Sequence, residues 1–533
     1  MNFMRRVVVV LVCCLGAIYC FAQTQVDILI KNGRILDGTG NSWYYGDVAI
    51  KNGKILKIGK LENITAAKTI DAKGLIVAPG FIDVHTHIEG GETRNPKADN
   101  FILDGVTTVV TGNCGASHTD IKKYLWRIDS IKPSINVATL IGHNDVRKAV
   151  MGTANRKPSE EELKKMENIV EDAMKNGAVG LSTGLIYIPG TYAETSEIIR
   201  LARVASRYKG VYASHMRDEG DSVVEAINEA LLIGKEANLP VQISHFKLSG
   251  QHNWGRSKET VALIKKAREE GIDVTIDQYP YTASSTGLGT LLPDDVLSDG
   301  QDSINARLSR PEVRKYVKEY MLARLKKRKL KHFSYPVVAN YRADTSMNGK
   351  SIEQINVLMG RKHKARYEAE TVMDMMQKGG AGMVFHGMGD EDVKRIMQYP
   401  FNMFASDASI RVYGQGVPHP RGYGTNARVL SKYVRDEKVL TLEEAVRRMT
   451  SLPAQKFGLN DRGLLREGLA ADIVIFDEKE VQDLSTYEQP HSYSKGFKYV
   501  LVNGQLVVEN ETHLGTRSGK ALYGPGTNVQ LTF

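Results

Sequence analysis

The chain has 533 residues, 42% hydrophobic and 25% charged, an ordinary globular composition large enough for one big core plus one or two smaller units. No internal repeat is visible. The net charge of +10 gathers in residues 324–329 (Arg-Leu-Lys-Lys-Arg-Lys) and 361–364 (Arg-Lys-His-Lys); without an aromatic stacking platform these runs read as solvated helix faces rather than a nucleic-acid surface.

Arg5 and Arg6 precede an apolar run over residues 7–22, which ends before the polar Gln23-Thr24-Gln25. This pattern predicts a signal peptide, residues 1–22, cleaved after Ala22, and an exported chain that is periplasmic or secreted. The alternative is an uncleaved anchor, but the 16 apolar residues fall short of the roughly 20 that span a bilayer. Bulky Tyr19 before Cys20 argues against a lipoprotein. Cys13, Cys14 and Cys20 lie in the leader, so the mature chain keeps only Cys114 and forms no intramolecular disulfide.

Residues 23–76 alternate short apolar runs with Asn32-Gly33 and Asn52-Gly53, a hairpin texture. It returns in residues 463–533, for example around Asn503-Gly504, and the two ends are expected to pair into one small β-sandwich domain. Between them, over 77–462, β-branched runs alternate with amphipathic stretches. Candidate strands fall at 76–83, 107–111, 136–141, 178–182, 211–214, 241–244, 273–277 and 402–406. The expected class is α/β, a (β/α)8 TIM-like barrel carrying an inserted helical segment at about 292–370, where the pattern turns polar, basic and helical.

The strongest local signal is Gly80-Phe81-Ile82-Asp83-Val84-His85-Thr86-His87, an apolar run ending in His-x-His. Residues i and i+2 of a strand share a side, so His85 and His87 can offer two imidazoles to one ion. Other strand ends carry ligand-type residues too: Cys114 in Gly112-Asn113-Cys114-Gly115, His215 after Ala213-Ser214, His245 after Ile243-Ser244, and Asp407 after Ala405-Ser406. Taken singly, each has an ordinary alternative: a small core cysteine, a hydrogen-bonded structural histidine, a helix N-cap aspartate. Taken together, at the carboxyl ends of barrel strands, they converge on one face.

This arrangement resembles the amidohydrolase superfamily, and the Gly112-Asn113-Cys114-Gly115 element narrows the likeness to the N-acyl-D-amino-acid deacylases (D-aminoacylases). Further matching segments are Ser182-Thr183-Gly184-Leu185 with Tyr187, Ser214-His215-Met216-Arg217-Asp218-Glu219, Ser244-His245-Phe246-Lys247, Asp277-Gln278-Tyr279-Pro280-Tyr281 and His419-Pro420-Arg421-Gly422. The likeness runs from about residue 25 to the end of the chain. Asp407 departs from the pattern in being followed by Ala408-Ser409, where the family commonly has glycine.

The resemblance implies a zinc-dependent hydrolase of N-acyl-D-amino acids, with Cys114, His215 and His245 on a tightly bound zinc and His85, His87 and Asp407 bordering a second, weaker position. It implies Asp407 as general base and then acid, or as a ligand only, and Tyr187 as an oxyanion donor. Lys247 is the expected partner of the substrate carboxylate, or else half of a structural ion pair. Tyr279 and Ser285 are expected hydrogen-bond donors to substrate, or else ordinary core residues, and Arg421 is a further candidate. His143 and His386 are given supporting roles. The apolar Gly287-Leu288-Gly289-Thr290-Leu291-Leu292 predicts neutral or hydrophobic side chains on the substrate. Partners are a small N-acyl amino acid or short peptide-like substrate, with no nucleic acid and no stable membrane insertion after leader cleavage; no particular oligomeric state is implied. Two rivals remain: a dihydroorotase-like cyclic-amide hydrolase or dipeptidase on the same scaffold, against which Cys114 argues, and a non-catalytic binding protein, against which the complete ligand set argues.

Overall fold

The computed structural model describes residues 24–528, so the expected signal peptide lies outside the described residues. At its centre are eight parallel strands: β1 (Phe81–Asp83), β2 (Val106–Thr111), β3 (Asn136–Thr139, carried on by Ile141–Gly142), β4 (Gly180–Gly184), β5 (Val211–His215), β6 (Val241–Ile243), β7 (Val274–Gln278) and β8 (Asn402–Phe404). Each pairs in parallel with the next. The ring closes just beyond the tips of β8 and β1, where Asp407 N–H donates to the His85 carbonyl at 2.9 Å and His87 N–H to the Ala408 carbonyl at 2.8 Å. One end of the interior is plugged by Ile82, Val110, Ala138, Ala213 and Met403. Polar side chains therefore collect at the other end, beyond the carboxyl tips.

The expected strand 76–83 is two strands. Ile76–Pro79 pairs antiparallel with Ile473–Phe476 in the terminal domain, whereas Phe81–Asp83 enters the barrel. Gly80 is the joint, because a Cβ there would lie 2.3 Å from Thr107. The domain boundary thus moves from residue 76 to residue 80.

The chain ends do pair. Strands Thr24–Ile35, Tyr44–Lys51, Lys54–Gly59 and Ile64–Asp71 join Ile76–Pro79 and the C-terminal strands Ile473–Phe476, Phe497–Val502, Gln505–Glu509 and Thr512–His513 in one nine-stranded sheet. The two faces of the expected sandwich are continuous. Thr24–Ile35 pairs with Ile64–Asp71 along its first half and with Ile76–Pro79 at its end, so the sheet curls around a shared core that includes Ile30, Ile50, Val77, Ile473 and Leu501. Asn52-Gly53 and Asn503-Gly504 are hairpin turns with φ of 51°, 76°, 49° and 74°, the left-handed pair that such two-residue turns demand. Asn32-Gly33 is not a turn: it is a bulge within Thr24–Ile35, marked by a register shift between Ile30 and Gly33.

The insertion is larger than expected and not purely helical. It opens with Ala283–Gly287 and closes with Gly382–His386, which with Pro336–Asn340 form a three-stranded antiparallel sheet. On that sheet pack helices α1 (Pro311–Lys327), α2 (Ile352–Leu358) and α3 (Ala365–Gln377), around a separate core of Leu288, Leu325, Ile355, Val372 and Met383. Among the described residues no helix is long and apolar enough to cross a membrane.

Candidate metal centre

The element Gly112-Asn113-Cys114-Gly115 turns sharply off β2. Gly112 and Gly115 both have positive φ, and a Cβ at either would strike the Leu140 carbonyl (2.3 Å) or the Asn144 side chain (2.1 Å). Asn113 donates from Nδ2 to the Val84 and Val110 carbonyls, which ties the turn to the ends of β1 and β2. The thiol of Cys114 then projects over the barrel axis. Its Sγ lies 3.3 Å from His85 Nε2, 3.4 Å from His215 Nδ1 and 3.6 Å from His245 Nε2.

Those separations test whether the residues fit a metal. Around a tetrahedral zinc, with Zn–S near 2.3 Å and Zn–N near 2.0–2.1 Å, sulfur and nitrogen sit about 3.6 Å apart. The donors stand at that edge length, and the set of one thiolate with imidazoles is the soft, nitrogen-rich set that zinc takes. The Cys114, His215, His245 cluster and the overlapping His85, His87, Cys114 and His85, His245, Asp407 clusters are all compact enough to share an ion. Burial pushes the Cys114 thiol up, but the facing imidazoles of His85 and His215 outweigh it and hold the thiol well below its usual range. The sulfur is thus poised as thiolate, the ligating form.

Asp407 sits beside this group. Its Oδ1 is 3.2 Å from His87 Nε2 and 3.6 Å from His85 Nε2, and its Oδ2 is 2.9 Å from the Arg421 guanidinium. Burial favours the neutral acid, yet Arg421 and the His87 hydrogen bond dominate and hold the carboxyl well below the usual carboxylate range. Cys114, His245 and Asp407 have φ of 53°, 35° and 49°, so three of the converging residues occupy the left-handed backbone region at strand ends.

Lys247, Tyr279, Ser285 and Tyr187 line the adjoining cavity, and Arg421 lines a neighbouring hollow that shares Tyr187, Ser285 and Asp407 with it. Tyr187 Oη is 3.0 Å from Thr286 Oγ1, and its ring stands edge-on to His215 at 4.8 Å. Tyr279 stacks under Arg421 at 4.5 Å, and its buried hydroxyl has no protein partner. Ser285 accepts from Arg421 through its carbonyl at 3.4 Å. Lys247 is not a free charge: its Nζ is 2.5 Å from Glu219 and 2.9 Å from His245 Nδ1. His143 lies with Glu197 (2.8 Å) and Arg147 in a buried cluster, and His386 packs edge-on to Tyr487.

Three carboxylates, each within a segment noted in the sequence but given no role there, support the histidines. Glu219 lies 2.8 Å from His245 Nδ1; Asp277 accepts the His245 N–H at 2.7 Å and faces His85 Nδ1 at 3.7 Å; Asp83 accepts N–H bonds from His85 and Ser406 at 3.1 Å. Burial lifts Asp83 to about 6. Such outer carboxylates fix ring orientation around metals. Their signal was a charged residue within an apolar run or four residues after a strand-end histidine. The basic run also needs correction: Arg324 and Arg328, at the carboxyl end of α1, are half-buried and line the cavity with Lys327, instead of facing bulk solvent.

Known proteins resemble this chain along nearly its whole length. The N-acyl-D-glutamate deacylase of Alcaligenes xylosoxydans xylosoxydans is 36% identical over 91% of this chain and 94% of its own. A solved N-acyl-D-glutamate deacylase from Bordetella bronchiseptica, complexed with zinc and a phosphonate mimic of the tetrahedral intermediate, superposes with a TM-score of 0.80 at 34% identity, over 94% of this chain and all of that one. A solved D-aminoacylase, described as activated by one metal of a binuclear centre and attenuated by the second, gives a TM-score of 0.79 at 34% identity over the same shares. Residues 68–508 match the model of the amidohydrolase family. With the barrel, its thiolate–imidazole cluster and these likenesses in agreement, the chain belongs to the amidohydrolase family.

Proposed function

We propose that this protein hydrolyses the amide bond of N-acyl-D-amino acids, releasing a carboxylate and a free D-amino acid, with zinc held by Cys114, His215 and His245. The observation that carries the reading is the thiolate–imidazole cluster opening on the cavity with Asp407 at its edge. A zinc held by these residues would supply an acidified water and a Lewis acid for the scissile carbonyl. Asp407 takes a proton from the attacking water and returns it to the departing nitrogen, which leaves poorly unless protonated. Arg421 holds the carboxylate ionised and aimed. The Tyr187 hydroxyl, turning from Thr286, donates to the developing oxyanion. Tyr279, with its unsatisfied hydroxyl, and Ser285 meet the substrate carboxylate; Lys247, neutralised by Glu219, contributes a hydrogen bond more than a net charge.

The test is acetate release from N-acetyl-D- and N-acetyl-L-amino acids by the full chain, before and after chelation, alongside Cys114→Ala. Loss of D-specific turnover and of bound zinc in the variant is expected; a variant that keeps both sinks the proposal.

A second reading concerns the side chain. Leu288 and Leu292, part of the basis for expecting neutral substrates, are buried in the core of the insertion, whereas Leu291 also lines the cavity. Beside Leu291 the cavity presents Arg324 and Arg328, neither paired with a carboxylate: Arg324 donates to the Thr290 carbonyl at 2.8 Å, and Arg328 stacks on Tyr335 at 5.1 Å. This wall favours an anionic group on the substrate. Turnover of N-acetyl-D-Glu and D-Asp against D-Leu and D-Met decides between the two preferences.

Export, with cleavage after Ala22, is likewise our proposal; the Arg5-Arg6 and apolar-run pattern supports it, and the N-terminal sequence of the mature protein tests it.

A further inference from the structure

The insertion brings together a second cluster of donors far along the chain from the first. His332 precedes the strand Pro336–Asn340, Glu353 is in the first turn of α2, His363 lies between α2 and α3, and Glu368 is in the first turn of α3. One ligand atom from each of the four lies within 4.8 Å of every other. His332 Nδ1 is 2.6 Å from Glu368 Oε1 and 3.7 Å from Glu353 Oε1, while His363 Nε2 is 2.6 Å from Glu353 Oε1. The two imidazoles stack, with centroids 4.2 Å apart and planes 23° from parallel.

We propose that His332, Glu353, His363 and Glu368 form a structural zinc site. Glu368 is fully buried; one oxygen accepts the Phe333 N–H at 2.7 Å and the other faces His332. A buried carboxylate demands a counter-charge. Its side-chain partner is the His332 ring, on which the His363 ring stacks at 4.2 Å. A single divalent ion within reach of all four donors supplies that counter-charge. Two imidazoles and two carboxylates form a four-donor nitrogen–oxygen set that suits zinc, while magnesium and calcium prefer all-oxygen shells. The ion ties a loop, α2 and α3 into one body. Arg314 of α1 pairs with Glu370 (2.5 Å) and Asp374 (2.8 Å) of α3, so that body also braces the helix whose far end delivers Arg324 and Arg328 to the cavity.

The test is zinc content by elemental analysis of full-length protein, dialysed first against zinc and then against metal-free buffer. Comparing Cys114→Ala with Cys114→Ala/His363→Ala removes the catalytic centre from the count. Because His363 is half-exposed, its loss leaves the fold in place; Cys114→Ala/Glu353→Gln serves as the second variant. The expected result is a loss of about one zinc per chain in both double variants, together with loss of the zinc-dependent rise in melting temperature. Equal zinc contents in the single and double variants overturn the proposal, whatever the activity of the wild-type chain.

Discussion

The Glu219 carboxylate lies 2.8 Å from His245 Nδ1, and in consequence the other nitrogen of that ring, Nε2, faces the Cys114 sulfur at 3.6 Å. Glu219, with Lys247 Nζ 2.9 Å from the same Nδ1, thus fixes the orientation in which His245 turns Nε2 to the centre. Glu219→Gln keeps the shape but weakens this hold and strips Lys247 of its counter-ion. Zinc affinity should fall by about 10- to 100-fold, the usual cost of losing such an orienting carboxylate. Competition with a fluorescent chelator measures it, and an unchanged affinity would show that Glu219 serves only Lys247.

Arg421 acts on Asp407 through charge. Since its guanidinium helps to hold the carboxyl below its usual range, Arg421→Met should let that carboxyl titrate at higher pH. Activity that depends on the carboxylate is then lost sooner on acidification, so the acid limb of the kcat/KM profile moves toward neutrality. A fall of about 100-fold at the optimum is expected as proton transfer is disturbed. A profile that drops in height without moving would assign Arg421 to substrate binding alone.

The cationic wall of the cavity can be separated from the chemistry. Arg324→Ala and Arg328→Ala lie outside the thiolate–imidazole cluster, so kcat for a neutral substrate should hold. If the wall pairs with an anionic side chain, KM for N-acetyl-D-Glu should rise by about 10-fold or more for each lost charge-assisted contact. Equal effects on neutral and acidic substrates would dismiss the wall as a selector.

Lys456 offers a stability test remote from the site. Its ammonium is buried, donates to the Asp273 carbonyl at 2.8 Å and lies 3.3 Å from the Asp273 carboxylate; burial pushes its pKa down to about 8. In the unfolded chain a lysine titrates near 10.4. Below pH 8 both states are protonated and the full burial penalty stands; from about 8 to 10 the unfolded chain holds more protons, so stability rises with pH. The gain attributable to Lys456 is about 3 kcal/mol across that window. Lys456→Met should remove this slope in denaturant titrations at several pH values; parallel curves for both proteins would refute it.

Much of this molecule was legible from periodicity and strand-end residues. Two of the Asn-Gly turns, the strand order of the barrel and the convergence of Cys114, His85, His215 and His245 all follow from local pattern, because each obeys a short-range rule. What escaped depended on long-range packing. The strand Ala283–Gly287 is Ala-Ser-Ser-Thr-Gly, with little apolar content to announce it; it is held by pairing with Gly382–His386 nearly a hundred residues later. The Asn32-Gly33 bulge has the letters of a turn, but its conformation is set by Tyr44–Lys51 across the sheet. Glu219 stood in a matching segment without a role, because its contacts with His245 and Lys247 come from a different strand end. Arg324 and Arg328 shared a helix end with solvated lysines, and only the fold of the insertion turned them inward.

The left-handed backbone at Cys114, His245 and Asp407 places reactivity in tension with durability. Side chains with a Cβ resist that conformation, at about 1–3 kcal/mol apiece, and glycine or asparagine would relax into it. Swapping any of the three for glycine should therefore forfeit the chemistry while sparing the scaffold a local burden. The melting point of such an inert chain, measured free of metal, would reveal how much robustness the native residues forgo in order to meet at one point.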